Sequence, residues 1–273
     1  MIRHRYPRRR VAARHLFCLA TFLVSWAALA PAQVTYERIL QAEQEPGNWL
    51  TYAGTYKSQH YSSLGQISQD NVKSLAVKWV FQARSLEGFE VTPLVVDGVM
   101  YITQPPNDVL ALDAETGRVL WHYEHQLPRR VIACCGLVNR GLAILGDKLY
   151  MGTLDARLLA LDTKTGTLLW DVEVADYRKG YSLTLAPLVV KDKVIVGPAG
   201  GEFGIRGFLD AYDAETGERA WRFYTIPGPG QQGHETWEGE SWKTRWRPRL
   251  GHRFVRRRAE LALLGHRESQ PQP

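Results

Sequence analysis

Four short stretches of the chain hold residue types that could do chemistry. Cys134 and Cys135 are adjacent and run into Gly136-Leu137-Val138-Asn139-Arg140. Vicinal cysteines seldom pair, because the small ring strains the peptide bond between them, and in a reducing compartment they are simply two thiols. Arg140 offers a fixed fork of donors that suits a carboxylate or another flat anion. A second stretch is Ala199-Gly200-Gly201-Glu202-Phe203-Gly204-Ile205-Arg206-Gly207. Its glycines allow backbone amides close to a flat acidic molecule, and Glu202 is a hard oxygen ligand for Ca²⁺ or a lanthanide. One acid in a Gly-rich hairpin reads equally well as a bare loop. Glu90, within Gly88–Pro93, and Thr184, within Thr184–Pro187, each stand just ahead of a β-rich run. Either contacts a ligand or ends a strand in solvent. His60 reads as a surface residue rather than a base, and Trp49–Ser62 as structural.

The elements that must carry these residues are written as a repeat. Ala111–Trp121 returns as Ala160–Trp170 and again as Ala211–Trp221, with the tryptophans 49 and 51 positions apart. That period is the length of a four-stranded propeller blade. In each copy Asp-x-x-Thr-Gly joins two strands through a tight turn, the Asp capping backbone donors and the Gly accepting positive φ. The Trp that follows is placed to pack on the neighbouring blade. Upstream of each copy a β-rich hairpin turns at Asp97-Gly98, Gly146-Asp147 or Lys191-Asp192. The expectation is an all-β chain, a partial β-propeller of three to four four-stranded blades. An incomplete earlier unit, from Asn48-Trp49 to Trp79 and Phe81, should supply lead-in strands. Three blades do not close a ring, which takes about four to eight.

The Ala-x-Asp-x-x-Thr-Gly-x-x-x-Trp repeat, Cys-Cys-x-x-x-Asn-Arg and the Gly-rich stretch around Glu202 resemble the quinoprotein alcohol dehydrogenases. These are the methanol and ethanol dehydrogenases that depend on pyrroloquinoline quinone (PQQ). The resemblance covers about residues 36–244, in order. It implies the amino-terminal part of a propeller of about eight blades. It also implies a Cys134–Cys135 disulfide lying flat against the quinone. Glu90, Arg140, Thr184 and Ala199-Gly200-Gly201 would be cofactor contacts, with Glu202 a ligand of Ca²⁺ or a lanthanide ion. The implied activity is oxidation of a small primary alcohol by hydride transfer to the metal-bound quinone, with a periplasmic cytochrome c as electron acceptor. The other reading is a non-catalytic envelope propeller, a binding or assembly module. Related propellers of that kind carry weaker forms of the repeat and need neither the cysteines, Arg140 nor Glu202.

Charge and the chain ends complete the reading. The net charge of +6 suggests nucleic acid until it is localised: residues 1–32 and 245–273 carry +6 each, leaving −6 for 33–244. An acidic body without a basic face excludes nucleic-acid binding. Residues 1–32 have the Arg-rich start, apolar run and Ala30-Pro31-Ala32 site of a secretory signal peptide, so a periplasmic protein without a stable membrane span is expected. With Cys18 removed, Cys134 and Cys135 are the only cysteines left. Residues 245–273 turn abruptly to Arg, His and Leu. Reading GC-rich synonymous codons for them one base displaced recovers Trp-Val-Thr-Gly and Gly-Asn-Pro in the family's order. The tail is therefore expected to be a frameshift product, and 33–244 the partial propeller. The general-base Asp of the family would lie beyond it, so the chain as written is expected to be inactive. No Cys-x-x-Cys-His motif for c-type haem occurs.

Overall fold

In the computed structural model, which describes residues 34–133 and 136–243, the three repeats become three antiparallel sheets of four strands. The first holds β1 (Leu94–Val96), β2 (Val99–Gln104), β3 (Asp108–Asp113) and β4 (Val119–Tyr123) in that order. The second holds β5 (Ala143–Leu145), β6 (Lys148–Gly152), β7 (Arg157–Asp162) and β8 (Leu168–Glu173). The third holds β9 (Leu188–Val190), β10 (Lys193–Val196), β11 (Phe208–Asp213) and β12 (Arg219–Tyr224). The expected signal peptide at 1–32, the Cys134-Cys135 pair and the tail at 245–273 lie outside the described residues.

Local chemistry explains each turn. Asp97 and Gly98 have φ of 49° and 84°, the doubly left-handed turn whose twist matches a two-residue hairpin. Lys191 takes φ 55° in the third sheet, a place where glycine is the usual choice. At the repeat turn, Asp113 Oδ1 accepts from Thr116 N and Oγ1, both at 2.8 Å, and from Glu115 N at 3.2 Å. Asp162 and Asp213 cap their turns in the same way. Each turn is followed by a register shift, after Ala111, Ala160 and Ala211, which adds twist before the Trp.

The tryptophans join the blades. Trp121 Nε1 donates to Thr163 O (2.9 Å), and Tyr101 OH donates to the same carbonyl (3.3 Å). Trp170 and Tyr150 share Ala214 O in the same way, at 3.3 and 3.1 Å. The rings cover the turn glycines so closely that a Cβ on Gly166 would meet Trp121 at 2.6 Å, and one on Gly217 would meet Trp170 at 2.9 Å. The residue after each Trp pairs with the third strand of its own sheet. His122 Nε2 lies 3.1 Å from Asp108, Asp171 meets Arg157 at 2.7 Å, and Arg222 meets Asp210 at 2.6 Å. Second and third strands are largely buried, while β4, β8 and β12 alternate towards solvent.

The expected lead-in strands differ from what forms. Among the described residues no strand lies between 50 and 93, and Trp49 makes a single bridge with Val95. Trp79 nevertheless docks as its counterparts do, with Nε1 3.2 Å from Ala114 O and its ring over Gly117. A docking Trp needs only a receiving turn, whereas a strand needs a ladder partner, and among the described residues 50–93 form no ladder. A short helix, α1 (Tyr36–Leu40), is capped by Thr35. Its Arg38 grips Glu45 at 2.7 Å and Asp97 at 2.6 Å, tying the amino-terminal segment to the β1–β2 turn. No helix among the described residues is long and apolar enough to cross a membrane.

Candidate functional site

The candidate residues are positioned where the chain enters the first strand of each sheet. Thr92 precedes β1, Arg140 precedes β5 and Thr184 precedes β9, and their backbones are stitched directly to one another. Thr92 N donates to Arg140 O (3.3 Å) and Arg140 N donates to Thr184 O (3.0 Å). Three segments that are far apart in sequence thus converge at the inner edges of the three blades. A Cβ on Gly141, at φ 125°, would fall 3.1 Å from Thr92 O, so glycine lets the chain after Arg140 pass this crossing.

Arg140 is held from both ends. Its guanidinium meets Glu90 at 2.6 Å, the Arg side chain 28% exposed and the Glu 42%. Behind it Asn139 is buried, donating from Nδ2 to Gly152 O (2.8 Å) and accepting at Oδ1 from Gly141 N (3.0 Å). Thr103 Oγ1 in turn donates to Asn139 O (3.2 Å). Glu90 and Arg140, both candidates in the sequence, form one charged pair with a donor face still open to solvent. Asn139 is the residue that sequence reasoning quoted without a role. An amide beside a functional Arg in a Gly-flanked run was the available signal.

The Gly-rich stretch is fastened to the same place through the segment before β9. Ser182 and Ala199 exchange backbone hydrogen bonds, at 3.1 and 2.7 Å, and Leu183 N donates to Thr153 O at 2.9 Å. Thr184, two residues from that bridge, is buried. Gly200 has φ 122°, and a Cβ there would fall 1.9 Å from Gly180 O. The glycine at this position therefore answers first to a neighbouring carbonyl of the protein itself. Gly201–Phe203 make one turn of 3-10 helix that leaves Glu202 exposed at the surface.

The structure thus brings Glu90, Arg140 and Thr184 together and links Ala199–Glu202 to them through one bridge. The donor set suits a flat polyanion: a guanidinium fork, backbone bared at glycines, and an oxygen ligand for a hard cation. Among the described residues no group of three or more His, Cys, Asp or Glu could hold a metal ion. Glu202 is a single carboxylate, so a metal here needs oxygen ligands from elsewhere. His60 sits at φ 50° with its ring edge-on to Tyr52 (5.7 Å), away from these groups in the sequence and in keeping with a structural reading.

Four-stranded blades joined by docking tryptophans, repeated three times, define a β-propeller. Residues 49–249 match the family of the PQQ glucose/ethanol/alcohol dehydrogenase β-propeller domain, and the chain belongs to that family. It is 48% identical over 228 residues to the quinohemoprotein alcohol dehydrogenase ADH-IIG of Pseudomonas putida, covering 79% of this chain and 32% of that protein. It is 39% identical over 262 residues to the lanthanide-dependent methanol dehydrogenase of Methylacidiphilum fumariolicum, covering 87% of this chain and 42% of that protein. A solved structure of a europium-containing methanol dehydrogenase superposes with a TM-score of 0.71 at 41% identity, covering 76% of this chain and 40% of that one. The chain therefore spans between about a third and two fifths of the length of these relatives.

Proposed function

We propose that this chain is the amino-terminal part of a periplasmic PQQ-dependent alcohol dehydrogenase and supplies one wall of its cofactor site. The observation that carries this reading is the meeting of Glu90, Arg140 and Thr184 at the entrances of three successive blades. Arg140 binds the anionic edge of the cofactor, and Glu90 orients its fork. Thr184 and the backbone of Ala199-Gly200-Gly201 flank the ring system. Glu202 ligates Ca²⁺ or a lanthanide ion. Cys134 and Cys135 would, paired as a disulfide, be a further cofactor contact. When bound, PQQ supplies a two-electron acceptor for the hydride of a primary alcohol, and the metal ion supplies a Lewis acid.

In this reading the group that takes the alcohol's proton is an Asp that none of these candidate residues supplies, and Glu202 is the one metal ligand among them. The chain on its own therefore binds without turning over. In the whole enzyme the substrate is a small primary alcohol and the electron acceptor a cytochrome c. Residues 1–32 direct export, 33–244 form the partial propeller and 245–273 are a non-native tail.

Titration of the full chain with PQQ in the presence of Ca²⁺ or La³⁺, followed by quenching of tryptophan fluorescence, tests this. Saturable binding with a stoichiometry of one is expected, weakened at least tenfold in Arg140→Ala and made metal-independent in Glu202→Gln. Equal binding in all three proteins, or none in the wild type with either metal, would overturn the assignment. The second result would leave the propeller as a binding or assembly module.

A further inference from the structure

Between the Gly-rich stretch and the segment that follows β12 lies a clamp built on one cation. Arg206 ends the stretch that carries Glu202, and its guanidinium lies between two rings, 3.6 Å from the centroid of Tyr224 and 4.7 Å from that of Trp242. In the plane of the guanidinium, Nε donates to Ile226 O (3.0 Å) and Nη2 to Gln231 Oε1 (3.3 Å). Gln231 Oε1 also accepts from Gly228 N (2.7 Å), so the same amide closes the 228–231 turn. Trp242 is held from its other side by His234, edge-on at 5.6 Å, whose Nδ1 lies 3.3 Å from Pro227 O. The backbone of Arg206 is latched as well. Its N–H donates to Tyr181 OH (3.2 Å), and the same hydroxyl donates back to Arg206 O (3.3 Å).

Arg206 differs from the arginines that hold carboxylates. Arg38, Arg140, Arg157 and Arg222 each have a carboxylate partner. The Arg206 guanidinium is held by one backbone carbonyl, an amide oxygen and rings, and burial pulls its pKa below the ordinary arginine value with no acid to offset it. A half-buried cation stacked on rings without an anion is held by its shape as much as by its charge. Only a planar group can fill the slot between Tyr224 and Trp242 while reaching Ile226 O and Gln231 in its plane.

We propose that Arg206 is a positioning residue: it clamps the loop of Glu202 to the 226–242 segment, so that the two move as one body and Glu202 keeps a fixed place at the site. The proposal rests on the reading of Glu202 as a metal ligand, and it names the group that sets that ligand. The loop itself is a single turn of 3-10 helix, packed on Gly180 through Gly200 and Phe203. Its fixed points are the Ser182–Ala199 bridge at one end and the Tyr181–Arg206 latch at the other.

Hydrogen exchange on the full chain, with Tb³⁺ luminescence excited through tryptophan, tests it in Arg206→Lys, Gln231→Leu and the wild type. Lysine keeps the charge and loses the plane. About tenfold faster exchange is expected at Phe203 and Gly204 in Arg206→Lys, the scale of one stacked and desolvated cation. Protection at the Gly117, Gly166 and Gly217 turns should stay unchanged. Tb³⁺ affinity should fall by a similar factor, and Gln231→Leu, which removes only the outer in-plane contact, should fall between. Wild-type exchange at 203–204 in Arg206→Lys would overturn the proposal, as would rescue of the loop by the lysine charge alone. If Glu202→Gln and the wild type bind Tb³⁺ equally, the metal reading fails, and exchange at the loop decides the clamp by itself.

Discussion

Alanine at Gly166 should do more harm than alanine at Gly98, although both glycines are left-handed, at φ 70° and 84°. A side chain in that region costs about 1 kcal/mol. At Gly98 that is the whole penalty, because a Cβ there has nothing within 4 Å. At Gly166 the Cβ would stand 2.6 Å from Trp121 Cε3, so the indole must lift. Lifting weakens its 2.9 Å bond to Thr163 O, worth about 1 kcal/mol. Disturbed packing under the ring adds about 1–2 kcal/mol. The expected losses are about 1 kcal/mol for Gly98→Ala and about 3–4 kcal/mol for Gly166→Ala. For a protein of this size they correspond to falls in Tm of about 3 °C and about 10 °C. Thermal and urea denaturation of the two variants measure the difference. Trp121→Phe, with a smaller ring, should bring the cost at Gly166 down towards that at Gly98. Equal losses at the two glycines would refute the view that the blades are held by indole on turn.

Two other perturbations test the electrostatic account. Replacing Arg222 with Leu leaves the fully buried Asp210 carboxylate without its partner and should cost about 3–5 kcal/mol in urea denaturation; adding Asp210→Asn should return most of it. Hydrogen bonds from Arg38 hold Glu45 and Asp97 below the usual carboxylate range. A depressed folded pKa contributes stability above the ordinary carboxylate pKa, and that contribution is lost as pH falls through the depressed values. Acid unfolding should therefore become shallower in Arg38→Ala, with wild type and variant converging at the lowest pH. Parallel acid profiles would exclude the network as a source of stability.

What was legible in the sequence is what local chemistry decides. Asp113, Thr116 and Gly117 specify their turn by side-chain bonds over three residues and by a φ that glycine accepts, so one copy could be read and three recognised. Asp97-Gly98 was legible for the same reason. Lys191, at φ 55°, shows that the hairpin is set by strand pairing even where a turn residue is less suited. What the sequence did not show depends on separation. Glu90 and Arg140 are 50 positions apart, and each was marked as a candidate, but their pairing follows only from adjacent blade entrances. The expected strands before residue 94 failed because Trp79 and Phe81 alternate like strand residues, yet alternation reports which side faces the core and not whether a neighbour exists. Arg206 lay inside a quoted stretch and drew no notice, since Tyr224, Gln231 and Trp242 come to it from well downstream.

The polar pairs that follow Trp121, Trp170 and Trp221 have a consequence for how near-identical repeats avoid being confused while the chain folds. Fourth strands β4, β8 and β12 each carry Trp as their third residue, so an exchange by one repeat would keep the Trp in place. It would not preserve charge. β8 laid in the first sheet sets Asp171 beside Asp108, and β12 laid in the second sets Arg222 beside Arg157, anion on anion and cation on cation. Like charges meeting across a half-buried ladder are disfavoured at the moment of pairing, before docking can reward the error. The reversal of sign from one blade to the next thus opposes a strand's entry into the sheet just before its own, a distinction written in single residues.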